Sequence, residues 1–223
     1  MKKVILIFLF LVIPSHLFAE VISTHQGLEV RNKIPFFELA VPSNFVEFPL
    51  EVRQQVNVPG FLYGFIEKSA NLNNTEDALM IIVAGMGGTI KAFEKMGPEG
   101  LAAVKRASPP GAKVSVEPTK ILGDYNEIIR SEIEMQGMKF VVFVVQIPLL
   151  KEAIQIVFRG PASRESEIRG VFENTITTLK GTTVEEWRFG KIGSVSGVLL
   201  GIIIILLIYR KKFFLKHAGE RSQ

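Results

Sequence analysis

The protein has 223 residues, and its 26 Lys and Arg exceed its 22 Asp and Glu, which gives a formal net charge of +4 at pH 7. The excess lies at the two ends: residues 20–191 contain 19 Lys and Arg against 21 Asp and Glu, too little positive charge to attract nucleic acid. The chain has no cysteine, which excludes disulfides and thiol chemistry, and we expect no cofactor and no bound metal.

The first 19 residues are typical of a secretory signal peptide. Lys2 and Lys3 form a positive region, and an uninterrupted apolar run follows over residues 4–13. This run is too short to span a bilayer comfortably. We expect cleavage after Ala19. The alternative is an uncleaved N-terminal anchor. Leu17 lies two positions before Ala19, the last residue of the predicted signal peptide, and signal peptidases prefer a smaller residue there.

Residues 20–181 predict one folded domain that begins with short strands. Apolar and aromatic runs bounded by turn residues indicate the first three strands, at residues 36–41, 60–66 and 78–84. Pro98 favours the first turn of a helix, which we expect to end before Ser108.

The clearest strand signals follow this helix. Residues 126–135 alternate between polar and apolar side chains, and Gln136–Gly137 is a plausible hairpin turn. Residues 138–147 are almost all apolar, and such a run would promote aggregation at the edge of a sheet, so we expect it in the centre. Pro148 ends it, and residues 153–158 predict another strand.

The period of the apolar residues then changes from 2 to 3.6. One helix face collects the residues Ile168, Val171, Phe172, Thr175, Ile176 and Leu179. We expect this face to pack on the sheet, with Ser163 as the N-cap of the helix and Gly181 beyond its end. Strands joined by short hairpins and closed by a helix indicate an α+β domain, an antiparallel sheet packed by helices.

The order of these elements resembles that of a known superfamily. Phe37–Phe45 resembles the start of PsbP-like α/β-sandwich domains, the photosystem extrinsic-protein superfamily. In these domains a strand is followed by a proline, a turn and an aromatic residue. Residues 145–148, 153–158 and 164–179 resemble its closing strand, strand and helix. The resemblance covers residues 27–180 and implies the fold. It also implies a non-enzymatic role in assembly or binding, and it transfers no functional residue.

Residues 192–209 predict a transmembrane helix. The segment has 18 uncharged residues, and a helix of that length spans about 27 Å, close to the thickness of the hydrocarbon core. Four positive charges lie within seven residues of its end, namely Arg210, Lys211, Lys212 and Lys216. They place the tail 210–223 in the cytoplasm and the domain outside, joined to the membrane by a linker at 182–191.

The same segment offers a face for helix association. Gly193, Gly197 and Gly201 are four residues apart and lie on one side of a helix, where small residues allow close packing in lipid. We expect a homodimer or pairing with another membrane protein. The alternative is a passive anchor, because glycine is common in membrane helices.

The sequence shows no catalytic motif. His25 is the one histidine between residues 20 and 191, and it lies near the N-terminus, where a fixed geometry for base catalysis is hard to maintain. Glu132 and Glu134 share a strand face, which a solvated sheet surface explains. Gly85–Gly88 lacks the residues of a dinucleotide fingerprint or a P-loop.

We therefore expect a non-catalytic interaction module on the outer side of a bacterial inner membrane. One alternative is a membrane-tethered hydrolase that uses carboxylates, which predicts a cleft with a raised carboxyl pKa. The other is a carrier or sensor of an apolar small molecule, which predicts a large cavity. Phe61, Tyr63 and Phe65, alternating along one predicted strand, are the expected ligand or partner face.

Overall fold

A computed structural model describes residues 19–25, 27–33, 35–56, 60–68, 77–84, 97–135, 137–149 and 152–182. The predicted transmembrane segment, its glycine face, the four following charges and Gly85–Gly88 lie outside the described residues, as do residues 1–18 of the predicted signal peptide. None of the helices formed by the described residues is long and apolar enough to cross a membrane.

Strands dominate the described residues. The strands are β1 (Ala19–Thr24), β2 (Gly27–Lys33), β3 (Phe36–Ala40), β4 (Phe45–Glu47), β5 (Phe61–Glu67), β6 (Leu79–Ala84), β7 (Lys113–Ile121), β8 (Asp124–Met135), β9 (Met138–Pro148), β10 (Ala153–Pro161) and β11 (Lys180–Gly181). The helices are α1 (Leu50–Gln55), α2 (Pro98–Ala107) and α3 (Glu165–Thr177). The helix expected from Pro98 and the strands expected from residues 126–158 are confirmed.

The strands form two antiparallel sheets rather than the one sheet expected from the sequence. The smaller sheet has the order β1-β2-β3-β11, and the larger has the order β4-β5-β6-β10-β9-β8-β7. Side chains of the smaller sheet and of α3 share one core with the facing side of the larger sheet. The predicted antiparallel architecture packed by helices is thus confirmed.

Strand β9 lies inside the larger sheet, between β8 and β10, as its uncharged sequence predicts. Residues 140–145 are fully or almost fully buried on both faces. The edge strand β7 instead carries Pro118 and exposed lysines, Lys113 and Lys120, which discourage pairing with another chain.

Helix α3 covers the larger sheet with the predicted apolar stripe. Phe172 contacts Phe143 in a stacked arrangement with ring centroids 5.6 Å apart, and its ring centroid lies 5.4 Å from that of Phe158, edge to face. The expected N-cap is wrong. Ser163 lies within a 3₁₀ turn, Ala162–Arg164, so the α-helix begins only at Glu165 and Arg164 occupies the cap position.

The opposite face of the larger sheet is also buried. Val142, Val144 and Val157 are at most 2 % exposed there. Val52 of α1 and Val104 of α2 pack against this second core. The larger sheet is therefore the central layer of the domain.

Candidate functional site

Charged side chains converge where α3 meets the larger sheet. Alternation along β5, β7 and β8 directs one charged residue of each strand toward the helix. The three resulting pairs, which we call the Arg–Glu clamp, are Glu67–Arg164, Glu117–Arg169 and Arg130–Glu165. Each pair joins the helix region to a different strand, so the clamp fixes α3 on the sheet.

Glu67 is the most buried member of the clamp, with 6 % of its side chain exposed. Its Oε1 accepts hydrogen bonds from Arg164 Nη2 at 2.7 Å and from Asn44 Nδ2 at 3.3 Å. Its Oε2 accepts from Arg164 Nη1 at 2.8 Å and from the amide of Ala78 at 2.9 Å. Burial alone would raise the pKa of Glu67, but these donors outweigh burial and hold the pKa below its usual value.

The other two pairs are also bidentate. Arg130 donates to Glu165 through Nε and Nη2, both at 2.6 Å, and its hydrogen bonds lower the pKa of Glu165. Arg169 donates to Glu117 at 2.6 and 3.0 Å and lowers the pKa of Glu117 in the same way. The forked guanidinium matches the carboxylate in each pair, which favours a fixed geometry.

The clamp keeps its carboxylates ionised. Among the described residues, the pKa is lowered for the carboxyl groups of Glu29, Glu67, Glu117, Glu132, Glu165 and Glu167. A general acid near neutral pH needs the opposite shift. The crevice beside Glu67, lined by Phe45, Phe158 and Ile168 among others, is too narrow to admit a water molecule.

The remaining candidates for catalysis lie at the surface. Glu132 and Glu134 share a strand face, as expected, and Glu132 forms an ion pair with Lys113 at 3.3 Å. His25 is exposed in the turn after β1. No group of acidic or histidine side chains in the described part of the chain is arranged to hold a metal ion.

The structure separates the three aromatic residues of the predicted ligand face. The register of β5 with β6 shifts between Phe61 and Tyr63, a β-bulge that interrupts the alternation. Tyr63 and Phe65 point into the core beneath the smaller sheet, where they are at most 2 % exposed and stack with ring centroids 6.3 Å apart. Phe61 packs on the opposite face and stays partly exposed. Ligand binding by these residues remains a prediction.

The second face of the larger sheet holds polar groups that the sequence analysis missed. Gln155 of β10 is completely buried, and neither polar atom of its amide has a hydrogen-bond partner among the described residues. It lies in a cross-strand row with Phe61, Val83 and Gln146. A glutamine in the middle of an otherwise apolar strand was the signal in the sequence, since buried amides normally have partners.

No family model and no curated protein matches the sequence. Several solved structures are similar in fold. CyanoP, the cyanobacterial PsbP of Synechocystis sp. PCC 6803, is 10% identical with a TM-score of 0.46, and the match covers 74% of this chain and 92% of CyanoP. LpqN of Mycobacterium tuberculosis, which is involved in cell envelope biogenesis, is 13% identical with a TM-score of 0.47, covering 66% of this chain and 83% of LpqN.

A protein of Bacteroides thetaiotaomicron VPI-5482 is 15% identical with a TM-score of 0.42. The match covers 66% of this chain but only 45% of the Bacteroides chain, so the present chain spans less than half of that protein. The solved structures similar to this chain thus include a PsbP structure, at a TM-score below 0.5.

Proposed function

We propose that the protein is a single-pass module of the bacterial inner membrane, which presents a non-catalytic α+β domain outside the cytoplasm and binds a partner protein. The observation that carries this proposal is the Arg–Glu clamp. It uses the buried carboxylate Glu67 and two further carboxylates for structural pairing and keeps them ionised. These three carboxylates are therefore engaged in holding α3 rather than in acid/base chemistry.

Anchoring is supported by the sequence of residues 192–209 and by the positive charges that follow it. Gly193, Gly197 and Gly201 provide a route to the partner within the membrane, because a strip of small residues lets two helices approach closely. The partner is a second copy of this chain or another membrane protein.

A second function is favoured by Gln155. Its amide is buried without a hydrogen-bond partner among the described residues, so a small molecule with a carboxylic acid or amide group on an apolar body would satisfy both its donor and its acceptor side once the groups that cover this face moved apart. In this case the domain carries or senses such a molecule on the second face of the larger sheet.

Affinity purification of the tagged full-length protein, co-expressed with an untagged copy, from gently solubilised membranes tests the first function, because either the untagged copy or another protein is then seen as the partner. We expect one stoichiometric protein to be retained by the natural chain and lost, or strongly reduced, in Gly197→Leu, because leucine separates the helices. Val195→Leu is the control, since position 195 lies about 200° around the helix and the substitution places the same leucine side chain on the opposite side. Equal recovery with both variants would refute the helix route.

The same preparations decide between the two functions. Mass spectrometry of the purified protein would reveal a retained small molecule, and its loss in Gln155→Leu would favour the carrier function. Purification of the chain without protein partner or small molecule would contradict both proposals.

A further inference from the structure

Both ends of the described domain lie in one row of the smaller sheet. Ala19 of β1 pairs with Asn32 of β2, Asn32 pairs with Phe37 of β3, and Phe37 pairs with Gly181 of β11. Three steps between neighbouring strands separate Ala19 from Gly181 by about 14 Å. The apolar N-terminal segment and the predicted transmembrane segment therefore leave the domain from the same place.

The turns that follow β7 and β9 of the larger sheet lie beside this row. A Cβ atom placed on Gly181 would lie 3.0 Å from Leu149 Cδ2, in the turn after β9, and 3.8 Å from Leu122 Cδ1, in the turn after β7. Leu122 has a φ of 55°, a left-handed conformation that a leucine rarely adopts, and it packs partly against the core. We call this region, with the β2–β3 turn, the termini end of the domain.

The termini end exposes an aromatic side chain with a lysine beside it. Phe36 is 52 % exposed, one of few large apolar side chains with such exposure among the described residues. Its cross-strand neighbour Lys33 is also exposed. An aromatic ring beside a lysine suits the interface of a bilayer, where the ring lies among headgroups and lysine meets anionic lipid.

We infer that the termini end faces the lipid bilayer, with Phe36 and Lys33 in contact with anionic lipid headgroups. This inference rests on the proposed anchoring by residues 192–209. The segment 182–191 has ten residues and reaches at most about 35 Å when fully extended. Strand β8, with 12 residues, separates the two ends of the larger sheet by about 40 Å. The fully extended linker is thus shorter than the distance between the two ends of the sheet, so the termini end and not the far end is held against the bilayer.

This orientation determines what the domain presents to a partner. The β8–β9 turn at Gly137 and the ion pair between Arg164 and Glu67 lie at the end of the larger sheet away from the Leu122 turn. The bilayer leaves this far end accessible, so a partner outside the membrane meets it first.

The absence of cysteine allows a direct test with single labels. Lys33→Cys and Lys139→Cys are a matched pair, because both lysines are exposed and flank a hairpin turn, at opposite ends of the domain. Each full-length variant, carrying a fluorescent label, is reconstituted into vesicles of phosphatidylethanolamine and phosphatidylglycerol. A nitroxide on the lipid headgroup then quenches labels that lie at the surface.

We expect quenching to be several-fold stronger at position 33 than at position 139, and a label at position 36 to agree with position 33. Circular dichroism checks that each variant is folded. Equal quenching, or stronger quenching at position 139, would overturn the inference even though the protein floats with the vesicles. Failure of every variant to float with the vesicles would refute the anchoring itself, and the orientation with it.

Discussion

Glu67 shows how one residue connects distant parts of the chain. Its carboxylate joins the end of β5 to Arg164, which is 97 residues away in the sequence, and to the amide of Ala78 before β6. Four donors surround a buried carboxylate, so the ion pair is complete and the desolvation of the charge is offset. Nothing near Glu67 in the sequence indicates this partner, whereas the apolar neighbours Phe65 and Ile66 are enough to predict the strand.

Glu67→Gln tests the contribution of this carboxylate. The substitution keeps the shape but turns an NH₂ group toward the guanidinium of Arg164, so we expect the free energy of unfolding to fall by about 3 kcal/mol. Glu173→Gln is the control: this carboxylate is 49 % exposed and 3.5 Å from Arg169, and its loss costs less than about 1 kcal/mol. Chemical denaturation in detergent measures both, and equal effects would contradict the structural role of Glu67.

At the scale of elements, α3 is held by close contact as well as by charge. Gly160 of β10 lies directly beneath the helix, and a Cβ atom there would lie 2.1 Å from Ile168 Cδ1. The glycine is required by this close approach, since Ile168 is 2 % exposed and has little space to move.

Gly160→Ala should therefore destabilise the protein by about 2 kcal/mol through overpacking. Ile168→Val removes the Cδ1 atom and alone costs about 1 kcal/mol. We expect the double variant to lose clearly less than the sum of the two, as measured by denaturant unfolding. Gly170→Ala on α3, with no atom within 4 Å of the added Cβ, should be neutral or slightly stabilising. Strict additivity of the first two substitutions would contradict the proposed contact.

How well each helix or strand can be predicted depends on the pattern of apolar and polar residues within it. The helix over residues 165–177 and strand β9 have strong periods or continuous apolar runs, and both were predicted. Strand β7 was missed because its alternation is largely polar and includes Pro118, which argues against a strand unless it lies at an edge. The bulge after Phe61 was missed because alternation within one strand does not reveal a shift in its register with the next.

At the scale of the whole molecule, the three pairs of the Arg–Glu clamp make stability depend on pH. Each clamp carboxyl has a folded-state pKa below its ordinary value of 4.5. Above about pH 4.5 the carboxylates are ionised in both folded and unfolded chains, so the full stabilisation is present. As the pH falls through the lowered folded-state pKa values, the carboxylates bind protons and the stabilisation is lost.

We therefore expect the denaturant midpoint to be nearly constant between about pH 7 and pH 5.5 and to fall steeply below about pH 4.5. In Glu67→Gln the denaturant midpoint should fall less steeply below about pH 4.5, because one of the titrating carboxyl groups is gone. Far-UV circular dichroism of the full chain in detergent at a series of pH values measures the effect. If the denaturant midpoint fell equally steeply with decreasing pH in both proteins, Glu67 would not contribute to the loss of stability in acid.

The sequence by itself determined the properties that depend on neighbouring residues. The periods of 2 and 3.6 identified strands and the last helix, the uncharged run over residues 138–147 indicated a central strand, and the absence of cysteine excluded several chemistries. The tertiary structure alone decided what depends on residues far apart in the chain. Partners separated by 97, 52 and 35 residues form the Arg–Glu clamp, and the strand order brings Ala19 and Gly181 into one row. The physical reason is that such pairings depend on register and strand order, which are set by packing of the whole domain rather than by local sequence.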